Sequence, residues 1–546
     1  MWTIPSIADA TDTPLHFTLY RNPSTVRTMN MRKRGLALVS VMTVIGLALP
    51  STTTADSSAG RTLPVPVDPR GVGLRPFTGQ PATAHPIDTA EVPRHPFMAA
   101  NGSSNIHGDA YQTDAYRNPG PAGRDLTVSS RLQGGVCLSV TFDSKGRIVT
   151  VCITPGQAPR LLLLDPDTLD AITALSLPGS TSTSPTEIAG GVYFYLDNHD
   201  QAIIPTNTGE ILVVAVQGDR LVPQRSYDLT PAIGTSGIVS ALPDWSGLLW
   251  FAAKDGTVGT LDMANGRIET HDIDGEQITN SIAVDESGGV FVVSDHALYR
   301  FDATPSGRPE VTWRAPYDRG SRQKPGQISQ SSGTTPTLIG PASGPDGGYV
   351  AITDNADPAM RVLVLARGKN GPTKVCAHPV FPTGASATEN SLVAVGGDII
   401  VENNYGYQFD GRALLEGLAG ARMPDTVPGL TRIDVDYPGR HCSVAWSNTV
   451  ERVPSVVSKV SLANGLLYTY THPSADELAF RPGGQLLGHP DAWYLTAIDV
   501  RSGERVWSRM AGAGPLVNNH YAPVSIGPDG AAYVGVVGGL VRIADN

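Results

Sequence analysis

From Asp125 to the C-terminus the chain consists of short apolar or alternating runs, broken by Gly, Asp, Asn and Pro, and no helical period lasts beyond three turns. Turn signals recur at residues 143–146, 189–191, 244–247, 285–288, 345–348, 396–398, 463–465 and 528–530, at spacings of 40 to 70 residues. That spacing suits four short strands with their connections, the unit of a β-propeller blade. The expected fold is therefore all-β, a single propeller of four-stranded antiparallel blades. Eight signals predict eight blades, and seven if residues 410–470 hold one large irregular blade. After Tyr533-Val534-Gly535-Val536 only one more strand, Gly539-Leu540-Val541-Arg542-Ile543, remains before the chain ends. The last blade thus lacks a strand, and Asp125-Leu126-Thr127-Val128-Ser129 is expected to return as its outer strand and close the ring.

Upstream, Arg32-Lys33-Arg34 precedes an apolar run from Gly35 to Leu49 and a small-residue stretch through Ala59, the order of a secretory signal. The apolar run is short for a ~30 Å hydrocarbon core, so cleavage is expected rather than a stable transmembrane anchor, with translation starting at Met29 or Met31. Residues 60–123, rich in Pro, Gly, Ser and Thr, read as an exposed leader, of which the more aromatic stretch 105–116 is expected to pack on the domain that begins at residue 124. The net charge is −11, from 40 basic and 51 acidic residues. Removing residues 1–59 takes away five basic and three acidic residues and makes it −13. No basic stripe interrupts this acidity, which argues against a nucleic-acid partner. The expected product is a secreted or cell-envelope protein, monomeric, whose partner is a small polar molecule or another exported protein.

Four cysteines fit an oxidising compartment. Cys137 and Cys152 lie equidistant from the turn at 143–146 and would face each other across a hairpin, as a disulfide or as two buried thiols. Cys376 and Cys442 remain as a second pair by arithmetic alone. None of the spacings suits a four-cysteine zinc site.

The unit Tyr494-Leu495-Thr496-Ala497-Ile498-Asp499, with Ser502-Gly503 and Trp507 after it, resembles the repeat of the pyrroloquinoline-quinone-like β-propellers. Pro528-Asp529-Gly530 with Tyr533-Val534-Gly535 resembles the strands that follow in that family, and residues 261–266 and 164–168 are poorer copies. The resemblance implies the propeller scaffold and, with the signal, an exported protein of actinobacterial type. Enzymes of that superfamily hold a quinone and a calcium ion beside an adjacent cysteine pair. This chain has no adjacent cysteines, so quinone chemistry is not expected of it.

Candidate chemistry rests on polar clusters at strand ends. Asp354, Asn355 and Asp357 follow one apolar strand, Glu402, Asn403, Asn404 and Tyr405 follow another, and Asp197 with His199 follows a third. If these ends share a face, their oxygens are of the type that binds calcium; otherwise the Asp and Asn residues are turn formers. Thr335, Glu389, Asn390 and His520 lie in segments entering first strands, which line a propeller's channel. With no G-x-S-x-G, H-E-x-x-H or P-loop motif, the expected function is binding of a ligand or partner on one face of the ring. The alternative is a calcium-dependent hydrolase or lactonase with its site at the channel mouth.

Overall fold

The computed structural model describes residues 62–154, 156–179, 191–342, 347–482 and 489–546. The signal-like segment and the start at Met29 or Met31 lie outside the described residues. Eight four-stranded antiparallel units follow one another around a ring. Blades 1 to 7 comprise residues 136–176, 195–228, 238–272, 283–316, 337–379, 393–448 and 459–513. Blade 8 is built from Val524–Ile526, Ala532–Val536 and Gly539–Ala544, and its outermost strand is Thr127–Leu132, paired from Thr127 against Ala544 to Leu132 against Gly539. The ring closes as the incomplete last blade requires, since an uncompleted blade would leave an edge and two apolar faces open.

The hydrophobic pattern follows from position within the blade. Second strands are covered on both faces by neighbouring blades, so they are apolar throughout, as in Leu249–Ala253, where all five residues are buried. Outer strands meet water and carry mostly exposed polar residues, as in Arg220–Asp228. Phe251 sits opposite Gly259, where a Cβ would come within 2.1 Å of its ring; burying such a phenylalanine contributes roughly 1.5–3 kcal/mol.

Seven of the eight turn signals mark the first hairpin of a blade. In blade 2 that hairpin is instead Asp197 to Asp200, and the signal at 189–191 precedes the innermost strand. The hairpins share one device. Asp143, Asp197, Asp244 and Asp285 each use Oδ1 to accept the backbone N–H groups two and four residues on. The irregularity expected in 410–470 is the long 403–429 connection of blade 6, which carries the helix Gly411–Leu418.

Both expected disulfides form. Cys137 pairs with Cys152 across the first hairpin of blade 1, and Cys376 with Cys442 between the outer strands of blades 5 and 6.

The segment expected to be an exposed leader is instead an integral arm. It hydrogen-bonds to the closing strand at Leu132, adds Phe77–Gly79 as a fifth strand outside blade 7, and crosses the ring near the first hairpins of blades 7, 6, 3 and 2. Residues 99–116 then enter the central channel. There the carbonyls of Ser104, Ala110, Tyr111, Thr113 and Asp114 accept N–H groups from innermost strands of blades 2, 4, 5, 6 and 7. Ala115–Tyr116 pairs in parallel with Lys459–Ser461 before the chain leaves toward Asp545 and the closing strand. The Pro- and Gly-rich composition concealed this, because the inner strands of the ring, not a periodic apolar face, satisfy the arm's backbone.

Candidate functional site: a filled channel and an open cleft

Strand direction fixes which residues share a face. In every blade the first and third hairpins lie at one end, the hairpin face, while the second turn and the link to the next blade lie at the other, the connection face. Asp354, Asn355, Asp357, Glu402, Asn403, Asn404 and Tyr405 follow second strands, and Thr335, Glu389, Asn390 and His520 precede first strands, so all belong to the connection face. Asp197 and His199 do not. Their strand, Tyr195–Leu196, is the innermost of blade 2, and the turn after it is a first hairpin on the opposite face. The expected common cluster is corrected accordingly: Asp197 is a turn former, and His199 is exposed.

On the connection face most of these side chains hold loops. Asp354 accepts the N–H groups of Ala356 and Arg361 and pairs with the Arg361 guanidinium at 2.6 Å. The Asn355 amide donates to the carbonyls of Arg319 and Arg322, and Asp357 accepts from Ser321. Asn403 accepts from Ala387 and Tyr405, while Asn404 accepts from Glu389 and Thr388 and donates to Val453. The connection between blades 4 and 5, pinned by Asn355, crosses the channel mouth: Pro325 accepts from Gly406 of blade 6, and Gly326 from Tyr521 before blade 8.

Beneath that loop lies a buried polar network built by the inserted arm. Lys459 donates to Asp114 Oδ1 and, at 2.7 Å, to the Ile106 carbonyl, while His107 Nδ1 lies 3.0 Å from the same carboxylate. Glu402 takes the Ser458 hydroxyl at 2.9 Å and the Ser458 N–H at 3.3 Å. Burial pushes its carboxyl up to about 8 against the opposing Ser458 hydrogen bonds. Burial likewise lowers the ammonium of Lys459 and the imidazole of His107. Glu389 is also raised to about 8 by burial; it accepts from Ile328, but its Oε2 has no partner among the described residues. His107 Nε2 and Asn390 Oδ1 are unpartnered too, and the His107 ring stacks 6.5 Å from Tyr193, which hydrogen-bonds to Thr335. His520 meets the Tyr407 hydroxyl at 3.1 Å and packs against Phe409.

These residues do not fit the calcium and quinone of the resembling enzymes. The carboxylates of Asp354, Asp114 and Glu402 are engaged by Arg361, Lys459 and Ser458, and among the described residues no group of three or more His, Cys, Asp or Glu is placed to hold a metal. All four cysteines are paired across strands, and the arm's own residues fill the channel.

The open concavity is on the hairpin face. A cleft of about 1350 Å³ lies between the arm at residues 86–94, the inserted segment and the hairpins of blades 5 to 7. Its walls include Ile87, Val92, Leu338, Val395 and Leu462, and arginines 94, 117, 432 and 501 line it as well. On its floor, burial raises the Asp109 carboxyl to about 6, with Thr113 donating to both carboxylate oxygens. Sequence reading missed this site, because the arm and the three blades that line it are far apart along the chain; the aromatic stretch 105–116 was the one available sign.

No protein-family model matches the chain. A protein of Archaeoglobus fulgidus described as uncharacterized is 25% identical over 547 residues, spanning 94% of this chain and all of that one. Among solved structures, quinohemoprotein alcohol dehydrogenase from Comamonas testosteroni is similar with a TM-score of 0.51 at 12% identity, covering 82% of this chain and 81% of its own. A europium-containing methanol dehydrogenase is similar with a TM-score of 0.50 at 12% identity, covering 80% and 97%. At these identities the likeness concerns the fold, and it agrees with the repeat in residues 494–507: the chain folds as an eight-bladed β-propeller of the quinoprotein-like type.

Proposed function

We propose that the protein is an exported binding module that receives a ligand or partner in the cleft of its hairpin face. The observation that carries this reading is the inserted arm: by occupying the channel with its own hydrogen-bonded backbone, it removes the place where a propeller enzyme would assemble a metal site. The cleft is a large concave surface, and apolar walls with a few convergent polar groups are the usual make-up of a binding pocket. Among the described residues no helix is long and apolar enough to cross a membrane.

Metal analysis and thermal melting of the purified chain test the reading. The expected result is no stoichiometric calcium and no rise in melting temperature in millimolar calcium, because a ligand of the native state stabilises it by mass action. Bound calcium lost on Glu402→Ala would favour the calcium-dependent enzyme alternative instead.

A second reading is favoured by the unpartnered Glu389 Oε2, Asn390 Oδ1 and His107 Nε2, which suit a small polar molecule under the capping loop. Native mass spectrometry supports it if a compound co-purifies with the wild type and is missing from Asn390→Leu, and rejects it if the wild-type mass is that of the chain alone.

A further inference from the structure

The arm gives the cleft an unbroken run of chain: all seven residues from Pro86 to Val92 line the cavity. The arm is held on either side of this stretch. Ile87 donates to the Leu462 carbonyl, and His95 packs edge-on against Trp245 at 4.1 Å. In between, the carbonyls of Thr89 and Val92 accept from Arg117 and Asn101. None of the N–H groups of Asp88, Thr89, Ala90, Glu91, Val92 and Arg94 donates to the described residues, and the carbonyls of Asp88, Ala90 and Glu91 accept nothing from them. A run of free donors and acceptors beside apolar walls is the feature by which an added strand is recognised.

Charge indicates what the strand carries. Among the described residues Arg94 has no ion-pair or hydrogen-bond partner, and the Arg501 guanidinium makes a single long contact of 3.4 Å, to the Pro86 carbonyl. Arg117 faces Glu91 at 3.6 Å with both side chains largely exposed, and such a pair contributes little. Arg432 is committed to Asp398 and Asp434. Against the two uncommitted guanidinium groups the rim sets one unpaired carboxylate, Asp88. The lining as a whole balances Arg94, Arg117, Arg432 and Arg501 against Asp88, Glu91, Asp109 and Asp398, so on a chain of net charge −11 it is locally neutral, with two arginines placed to meet a carboxylate.

We propose that the cleft binds an extended segment of another polypeptide, which hydrogen-bonds along residues 88–92, buries apolar side chains against Ile87, Val92 and Tyr437, and presents carboxylates to Arg94 and Arg501. This rests on the reading of the protein as a binding module and names the class of its partner.

The test uses the purified chain and a phage-displayed library of random peptides, followed by fluorescence anisotropy with the enriched peptides. Enriched sequences are expected to combine apolar residues with Asp or Glu. Affinity should fall at least about tenfold, a loss of about 1.4 kcal/mol, for peptides N-methylated on alternate amides and for the double variant Arg94→Glu, Arg501→Glu. Ala90→Pro, which removes a central N–H, should act in the same direction. The two arginines are exposed, so the double variant should keep the wild-type melting temperature and report on binding alone. Absence of enriched peptides, or peptides indifferent to both N-methylation and charge reversal, overturns the proposal. So does a cleft that takes oleate and no peptide, which would make it a lipid pocket. Stoichiometric calcium would sink the binding-module reading itself, whereas failed peptide binding in calcium-free protein sinks only this one.

Discussion

Lys459 shows how a single residue ties the arm to the ring. Its ammonium is fully buried at the head of the innermost strand of blade 7, and its partners, Asp114 and the Ile106 carbonyl, both belong to the inserted segment. Lys459→Met would leave the Asp114 carboxylate buried beside Glu402 with His107 as its remaining close partner. The expected loss, read by urea unfolding, is about 3–5 kcal/mol, the cost of breaking a buried ion pair from one side. Glu389 sets a pH dependence. Its carboxyl sits near 8 in the folded chain against an ordinary value of 4.5, so between those limits the folded state holds a proton that the unfolded state has released. Stability contributed by this group is therefore present at low pH and lost as pH rises through that window. Glu389→Gln, neutral throughout, should lessen the fall in unfolding free energy between pH 5 and pH 8; an unchanged fall would show that the carboxyl titrates normally. Asp354 is a turn and ion-pair residue, so Asp354→Ala should cost about 0.5–2 kcal/mol, by analogy with a lost cap, and leave binding in the cleft intact.

Among the elements, the hairpins and the arm differ in how far they could be read in advance. The repeated aspartates at 143, 244 and 285 are local devices, each bonding its own turn, and a local device leaves a local signature. Blade 2 misleads for the same reason: residues 189–191 look like a turn, and Asp197 then appears one strand later than it is, which puts it on the wrong face. The closing strand was legible because the last blade is visibly one strand short. The inserted segment was not, since its hydrogen bonds run to strands up to 353 residues away, from Ile106 to Lys459, and no period in its own sequence records them. The candidate residues at 335, 389 and 390 were recognised as lining the channel and Glu402 as a strand-end group, while the place of Glu402 beside Asp114 depended on the arm. The disulfides allow a test at this scale. Cys376–Cys442 closes a loop with a sequence separation of 66 between two blades, and chain entropy puts its contribution at about 4 kcal/mol. The double serine variant should lose stability of that order, read by urea unfolding.

For the whole molecule, arm and ring form one cooperative structure. A chain beginning after Leu132 would lack the fifth strand of blade 7, the channel filling and the closing strand of blade 8 together. It should show no cooperative melting near the wild-type temperature; a melt that coincides with the wild type would mean that the ring is closed by other means.

The route of the arm also sets how the molecule would yield to force. Residues 99–123 enter and leave the channel by the same face, so the chain passes through no closed loop and can be drawn out without untying anything. Tension applied at the N-terminal end would act along a single line. It would lift the contacts at residues 62–76 first, then unzip Phe77–Gly79 from blade 7, then free the stretch over the hairpin face, and then withdraw the segment from the channel. Only when the pull reached Thr127–Leu132 would it bear on the ring, and there the same tension would begin to separate blade 8 from its closing strand. An extension trace of one molecule held at its N-terminal end and at a point within the ring, away from blade 8, should therefore record release of the arm and opening of the ring as successive steps in that order.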